Sequence, residues 1–266
     1  MRMTVYRSPR KHWGILDFCF EWAKYVWCSL AHAYFYRTPM TDLIYALTDI
    51  HGRFDLLEQA LAEIESRGGF RQLIFLGDYV DRGPQSRQVV ERLIKLDRKE
   101  NVVCLLGNHE RMFIDFVTSS MQPDEMFSAN GGQQTLESYS DTRGQIDIRT
   151  MERHAAWMET LPLWYRDERR VYVHAGIYPG EEVEGQPEAV LTWSRMHDFF
   201  FATRAMMGAY VVHGHTPLHD DKDYRDVEVT DARTNLDTGA YRTGKLTVGV
   251  FDESQERPVD IFSTYG

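Results

Sequence analysis

Residues 73–83 read LIFLGDYVDRG, and the change from apolar to polar residues within this stretch decides the fold. The four apolar residues favour a short buried strand, and the glycine after them indicates a turn that carries Asp78. The same change occurs in residues 43–52, LIYALTDIHG, and in residues 102–110, VVCLLGNHE. Segments of helical period alternate with these strands, so the sequence predicts an α/β domain whose polar turns meet at the carboxyl edge of a sheet.

Apolar runs and helical periods predict these elements in the first half: strands at 43–48, 73–76 and 102–106, and helices at 54–64, 86–96 and 151–161. Residues 119–146 hold one proline and several glycines among polar residues, so we expect mostly loop there, placed as a lid over a site. Short apolar runs with little helix between them predict a β-rich second half, with strands at 170–174, 210–212, 227–230, 245–251 and 259–262.

The composition bounds the class of protein and its partners. A chain of 266 residues with 43% apolar residues can build a sizeable core. Its 40 acidic and 30 basic residues give a net charge of −10, which disfavours nucleic acid as a partner. The three widely spaced cysteines, Cys19, Cys28 and Cys104, indicate neither a disulfide framework nor a thiolate zinc site. This cysteine usage favours a reducing, cytoplasmic location.

The first 39 residues differ from the rest, and we interpret residues 1–39 as an aromatic-rich helical extension. Its apolar stretch, residues 13–36, is broken by Asp17, Glu21 and Lys24, which argues against a membrane span and a signal peptide. A helix that packs on the domain or on another copy is the preferred interpretation. Contact with a membrane surface is a less favoured alternative, and so is a non-native extension ahead of a start at Met40.

Ligand-type residues follow five of the apolar runs. In chain order they are Asp49 and His51, Asp78, Asn108, His174, and the pair His213 and His215. A single Asp-x-His turn is ordinarily a surface loop, but five ordered occurrences favour a metal centre. Carboxylates, imidazoles and an amide together suit Mn2+, Fe or Zn2+ better than Ca2+ or Mg2+. One bridging carboxylate would hold two ions roughly 3.5–4 Å apart, and Asp78 is the candidate.

The motif series resembles that of the phosphoprotein phosphatases, in their bacterial and phage serine/threonine phosphatase branch within the metallophosphoesterase superfamily. The matching motifs are Asp49-x-His51-Gly52, Gly77-Asp78-x-Val80-Asp81-Arg82-Gly83, Gly107-Asn108-His109-Glu110, His174-Ala175-Gly176 and Gly214-His215-Thr216-Pro217. The resemblance runs from about residue 41 to about residue 252 and includes Asn130-Gly131-Gly132 and Asp237-Thr238-Gly239-Ala240. It implies a catalytic domain at residues 40–266, built as a four-layer α/β/β/α sandwich with a dinuclear metal site at the strand carboxyl ends.

The resemblance also implies a ligand set for two divalent metal ions, with Mn2+ expected and Fe or Zn2+ as alternatives. Asp49 and His51 would hold the first ion, Asp78 would bridge, and the second ion would be completed by Asn108, His174 and His215. In this interpretation His213 has a supporting or structural role. Asp237 either orients a ligand histidine or is a turn residue.

Four further residues carry catalytic roles by the same resemblance. His109 would be the general acid that protonates the leaving group, and Asp81 would orient it and favour its charged form. Arg82 and Arg195 would clamp the phosphate, since a guanidinium offers paired donors that match phosphate oxygens. For each arginine the alternative is an ordinary surface ion pair.

The leading expectation is a serine/threonine phosphoprotein phosphatase that hydrolyses phosphomonoesters by attack of a metal-bound hydroxide. Its partner would be a phosphoprotein or a small phosphoester; the oligomeric state stays open. A diadenosine tetraphosphatase is the alternative, but those enzymes usually have Asp at the position of Glu110 and lack Thr216-Pro217 after the histidine. A non-catalytic metal-binding scaffold is a third hypothesis, which gives His109, Asp81 and the arginines no role.

Overall fold

The structure is a computed structural model that describes residues 42–119, 121–122, 125–217 and 227–266. The predicted extension at residues 1–39 and the start at Met40 therefore lie outside the described residues. Within the described ranges, no helix is long and apolar enough to cross a membrane.

The first half of the described chain alternates strands and helices, as the sequence predicts. Its elements are β1 (Ile44–Leu47), α1 (Phe54–Ser66), β2 (Gln72–Phe75), α2 (Ser86–Leu96), β3 (Val102–Cys104), α3 (Asn108–Thr118), α4 (Glu125–Ala129), α5 (Gly132–Ser138) and α6 (Ile148–Met158).

The second half contains most of the strands, joined by short helices. Its elements are β4 (Trp164–Arg166), β5 (Arg170–Val173), a 3-10 turn (Val183–Gly185), α7 (Glu188–Trp193), α8 (His197–Phe201), α9 (Arg204–Met207), β6 (Tyr210–His213), β7 (Glu228–Val229), β8 (Arg233–Asn235), α10 (Ala240–Thr243), β9 (Lys245–Phe251) and β10 (Asp260–Tyr265).

These strands form two five-stranded sheets. The first has the order β10-β9-β1-β2-β3, in which β1, β2 and β3 are parallel and β9 pairs antiparallel with both β1 and β10. The second has the order β4-β5-β6-β8-β7, with β5, β6 and β8 parallel at its centre. Each sheet therefore contains three parallel strands, whose carboxyl ends carry the polar turns.

Alternate residues of the central strands point to different layers of the core. In β1, Tyr45 and Leu47 pack with the helices of the first half, whereas Ile44 and Ala46 pack in the cluster shared with the second sheet. Tyr172 of β5 joins that shared cluster, and its neighbours in the strand pack with the short helices α8 and α9. The layer order is therefore helix, sheet, sheet, helix, which confirms the predicted α/β/β/α sandwich.

Two short helices, α4 and α5, interrupt the predicted loop at residues 119–146, with Asn130 and Gly131 between them. Each helix is too short to show a helical period in the sequence, and the glycine pair between them reads as a loop signal. What holds the segment is tertiary packing, because the Phe127 ring is buried and stacks on Phe116 at 4.5 Å.

Helix α6 begins at Ile148, three residues before the predicted start. Asp147 caps it, since its Oδ1 accepts a hydrogen bond of 3.1 Å from the backbone N–H of Thr150. One turn later, the buried ring of His154 pairs its Nδ1 with the Tyr139 hydroxyl at 2.6 Å, just after the end of α5. Burial lowers the pKa of His154 from 6.5 to about 4, so the neutral ring is the folded form at neutral pH.

We expect His154 to make the fold acid-sensitive. Because its pKa is lower in the folded than in the unfolded chain, its contribution to stability is present above pH 6.5 and is lost as the pH falls towards 4. The loss should reach about 2–3 kcal/mol of unfolding free energy, at 1.36 kcal/mol per pKa unit. Urea unfolding at pH 7 and pH 4.5 measures it, with His154→Gln as a variant that cannot titrate. An equal loss of stability in both proteins would contradict this expectation.

Candidate dinuclear metal centre

The six predicted ligands come together at the carboxyl ends of the parallel strands. Asp49 and His51 follow β1, Asp78 follows β2, and Asn108 begins α3 just beyond β3. From the second sheet, His174 directly follows β5 and His215 lies just beyond β6. All six side chains are buried. Both sheets thus contribute to one polar cluster, as the strand-end pattern predicts.

The backbone at this cluster is strained. Six residues of the predicted site have positive φ, which is uncommon for residues with a side chain: Asp49 (52°), His51 (44°), Asp78 (58°), Asp81 (69°), Arg82 (66°) and His215 (68°). Hydrogen bonds between loops hold this geometry, with the Asp49 N–H donating to Gly77 O at 3.1 Å and the His51 N–H donating to Asp78 O at 2.9 Å. Such strain is typical of functional sites, where the surrounding structure enforces it.

The Asp78 carboxylate lies at the centre of the cluster. Its Oδ1 is 3.2 Å from His174 Nε2, and its Oδ2 is 3.5 Å from His51 Nε2. Two groups of potential metal ligands share it, Asp78 with His51 and His109, and Asp78 with His174 and His215. Within each group the donor atoms lie within 4.8 Å of one another. One carboxylate therefore faces two potential cation positions, which is the arrangement expected of a bridge.

The rings of three predicted ligands direct nitrogens into the cluster. His51 Nδ1 pairs with Val80 O at 2.8 Å and His174 Nδ1 with Leu76 O at 2.9 Å, so each Nδ1 donates to a carbonyl and each Nε2 points into the cluster. His174 Nε2 is also 3.0 Å from Asn108 Oδ1. Both ring nitrogens of His215 are buried without a hydrogen-bond partner in the described part of the chain. This set of imidazole and oxygen donors fits a pair of borderline divalent cations.

Several carboxylates are buried together in the cluster, and nearby positive charge would stabilise them. Burial and the nearby Asp78 raise the pKa of Asp49. Although burial opposes it, His174 and His109 hold the pKa of Asp78 well below its usual range. For His174 the effect is reciprocal, because Asp78 outweighs burial and raises the pKa of the imidazole to about 9. Cations between these groups would offset the cost of burying several carboxylates together.

His109 and Asp81 form a tight pair beside the cluster. His109 Nδ1 is 2.6 Å from Asp81 Oδ2, and its Nε2, which has no hydrogen-bond partner among the described residues, lies 3.8 Å from Asp78 Oδ2. Burial lowers the pKa of His109, but Asp78 and Asp81 outweigh it and raise the pKa above its usual value. The position of Nε2 alone is compatible with a ligand, whereas the contact with Asp81 and the raised pKa of the ring suit an acid.

The two predicted phosphate clamps lie at different depths. Arg82 Nη1 donates to His51 Nε2 at 2.8 Å, and its guanidinium lies 4.9 Å from the centre of the Tyr241 ring. A metal on His51 would need the same lone pair, so Arg82 and that metal are alternative partners of this nitrogen. Arg195 is exposed at the rim, where its Nε donates to Thr216 Oγ1 at 3.3 Å. Arg82 therefore contacts a predicted metal ligand directly, whereas Arg195 contacts Thr216, the residue after His215.

A family model described as calcineurin-like phosphoesterase matches residues 43–235, which hold all the predicted ligands and catalytic residues. The chain belongs to the calcineurin-like phosphoesterase family. It is therefore an enzyme that hydrolyses phosphoesters, from a family that uses a dinuclear centre of divalent metals. The family match confirms the resemblance to the phosphoprotein phosphatases as far as the metallophosphoesterase domain.

Curated relatives of this phosphoesterase carry two kinds of name. The chain is 27% identical to the asymmetrical bis(5'-nucleosyl)-tetraphosphatase PrpE of Anoxybacillus flavithermus, over 78% of this chain and 89% of the relative. It is 28% identical to serine/threonine-protein phosphatase 1 of Salmonella typhimurium, over 77% and 90%. With the symmetrical bis(5'-nucleosyl)-tetraphosphatase of Nitrosococcus oceani the identity is 29% over 59% of this chain, and the match spans 54% of that relative.

A solved structure supports the fold. A protein serine/threonine phosphatase from Saccharomyces cerevisiae superposes with a TM-score of 0.56 at 18% identity, over 86% of this phosphoesterase and 82% of that chain. At this identity the likeness extends to the architecture alone.

Four supporting residues of the phosphoesterase site have no role in the sequence prediction. The Glu110 carboxylate accepts from the backbone N–H groups of Asp78 and Tyr79, each at 2.7 Å, and so ties α3 to the loop after β2. The others are Thr48, which donates to Asp49 Oδ2, Thr135, which donates to Asp81 Oδ1, and Asn235, which donates to Thr216 O. Glu110 stands within a motif, but the other three are ordinary polar residues whose partners only the fold reveals.

Two residues with open roles are now placed. The His213 ring packs against Phe199 at 4.9 Å, outside both ligand groups, and burial and the nearby Arg233 lower its pKa to about 3. It is a buried neutral ring in the layer beneath α8. Asp237 Oδ1 accepts from the backbone N–H of Gly239 at 2.8 Å, which is the behaviour of a turn residue.

Asp78→Asn should remove bound metal and activity together. The substitution takes the negative charge from the one carboxylate that both ligand groups share, so neither cation position keeps a full donor set. Elemental analysis of the purified protein measures the metal content, and Asp141→Asn, on an exposed loop, serves as the control. A variant that retains two metals per chain would contradict a bridging role.

Proposed function

We propose that this phosphoesterase is a metal-dependent serine/threonine phosphoprotein phosphatase. The observation that carries the proposal is the pair of His109 and Asp81, whose 2.6 Å contact holds the imidazole with its Nε2 3.8 Å from Asp78 Oδ2. A serine or threonine leaves phosphorus as a strongly basic alkoxide, which needs a proton. A nucleotide that leaves a phosphoanhydride is a weak base and needs an acid much less. The acid pair therefore favours a phosphomonoester substrate.

In this proposal two metal ions divide the six ligands. Asp49 and His51 would hold the first, Asp78 would be shared, and Asn108, His174 and His215 would hold the second. We expect Mn2+, with Fe or Zn2+ as alternatives, because imidazole and carboxylate donors together suit all three. Such a pair, when bound, polarises the phosphate and activates water for an in-line displacement.

His109 supplies the proton that the leaving oxygen needs. As the bond between phosphorus and the leaving oxygen breaks, the proton on Nε2 passes to that oxygen and restores a neutral alcohol. Asp81 keeps Nδ1–H engaged, which fixes the ring orientation and favours the protonated state before transfer. The phosphate that remains carries the negative charge, and Arg82 and Arg195 offer guanidinium groups on two sides of it.

A dinucleoside polyphosphate hydrolase is the second candidate. It is supported by the names of the Anoxybacillus and Nitrosococcus relatives. The exposed Trp193 ring, whose centre is 6.3 Å from that of His215, could stack a nucleobase next to the metal ligands. Base stacking on an aromatic side chain is worth about 1–3 kcal/mol.

A substrate panel with the manganese-loaded enzyme separates the candidates. We expect a higher kcat/KM for a phosphoserine or phosphothreonine peptide than for diadenosine tetraphosphate. Trp193→Ala should leave turnover of a short phosphopeptide unchanged within about twofold. A faster reaction with the dinucleotide, combined with a tenfold or greater loss in Trp193→Ala, would support the second candidate and overturn the first.

His109→Asn should lower kcat for a phosphoserine peptide by about 10²-fold or more, a typical contribution of acid catalysis. Metal content, measured on the same preparation, should be retained because in the proposal His109 binds no metal. His197→Asn, which changes an exposed histidine, is the matched control. Loss of one metal in His109→Asn would instead make His109 a ligand, and unchanged turnover would remove its role as the acid.

A further inference from the structure

Thr135 contacts Asp81 at two points. The Thr135 hydroxyl donates to Asp81 Oδ1 at 2.7 Å and accepts from the Asp81 backbone N–H at 2.8 Å. Thr135 is fully buried in α5, and the hydroxyl of Ser86 lies 3.1 Å from both the Thr135 hydroxyl and the Asp81 nitrogen. The carboxylate is left with one free oxygen, Oδ2, which is the atom that meets His109.

The same segment also fixes the next residue of the catalytic loop. The Arg82 backbone N–H donates to Gly131 O at 3.1 Å. Asp81 and Arg82 both have positive φ, and both are therefore held by hydrogen bonds to the segment that begins α5. Gly131 itself has φ 95°, and a Cβ there would lie 2.7 Å from the Arg82 nitrogen. A side chain at residue 131 would therefore displace Arg82. The segment Gly131–Thr135 is a clamp on the loop that carries Asp81 and Arg82.

We propose that Thr135 is a positioning residue for acid catalysis and acts through Asp81 on His109. Two hydrogen bonds, one to each carboxylate oxygen, stop rotation of the Asp81 carboxylate and aim Oδ2 at His109 Nδ1. Without the Thr135 hydroxyl, Asp81 Oδ1 loses its partner in a buried position, so the carboxylate turns towards whatever donor remains. His109 then loses the contact that fixes the orientation of its ring. This role rests on the proposed function of His109 as the acid.

If Thr135 acts through His109, its loss should lower kcat more for some substrates than for others. An alkyl phosphate needs the proton from His109, whereas a para-nitrophenolate is a good leaving group and needs it much less. Thr135→Val removes the hydroxyl at nearly constant volume. It should lower kcat for a phosphoserine peptide about tenfold with KM nearly unchanged, and lower kcat for para-nitrophenyl phosphate by about threefold or less.

Two matched variants distinguish positioning from a general loss of stability. Thr135→Ser keeps the hydroxyl and should restore kcat to within about threefold of the parent. Thr150→Val removes a second buried hydroxyl, one that donates to Asp147 Oδ2 at the same 2.7 Å but at the cap of α6, away from the site. It should lower the melting temperature without changing the ratio of the two substrates.

A double-mutant cycle with His109→Asn gives the decisive test. If Thr135 acts through His109, adding Thr135→Val to His109→Asn should change kcat by less than about twofold. A further tenfold loss in the double variant would overturn the proposal, and so would equal losses for both substrates in Thr135→Val. If His109→Asn alone keeps full activity, the acid assignment fails and the role of Thr135 falls with it. A normal Thr135→Val beside an impaired His109→Asn overturns the role of Thr135 alone.

Discussion

The burial of the Asp78 carboxylate between imidazoles from both sheets is the interaction on which the rest of the site depends. Its two oxygens face His51 at 3.5 Å and His174 at 3.2 Å, and the side chain is almost fully buried. A buried carboxylate is costly unless it is paired, so this arrangement is stable only with positive charge on both sides. The sandwich of two sheets is what brings donors from separate halves of the chain to that one group.

Strained loops and their supports follow from the same requirement. A strand that ended in ordinary extended backbone would carry Asp78 past its partners; the left-handed turn at φ 58° instead turns the carboxylate back over the sheet edge. Glu110 stabilises that turn, since its carboxylate accepts from the backbone of Asp78 and Tyr79. Burial and Asp78 raise the pKa of Glu110 to about 7, which shows how closely the acidic groups are packed. The supporting carboxyl group of Glu110 and the predicted ligand Asp78 therefore influence each other's charge.

The sequence predicts the parts of this site that lie at strand ends. Asp49, Asp78 and His174 each follow an apolar run with a glycine nearby, and local periodicity is enough to place them at one edge. Thr135 and Tyr241 carry no such signal, because their importance comes from contacts with Asp81 and Arg82 that are far away in the chain. The helices α4 and α5 could not be predicted from the sequence for the same reason, since tertiary packing rather than helix propensity stabilises them. The predicted ligands are thus recognisable from local sequence, whereas the supporting residues are recognisable only from their tertiary contacts.

In the proposed site, one carboxylate, Asp78, would bind two metal ions. Crystals of the manganese-loaded protein, measured at the manganese absorption edge, test it most directly through anomalous difference density. We expect two peaks, one on each side of the Asp78 carboxylate and roughly 3.5–4 Å apart, with His51 beside one and His174 beside the other. A single peak, or two peaks of which one lies away from Asp78, would contradict it.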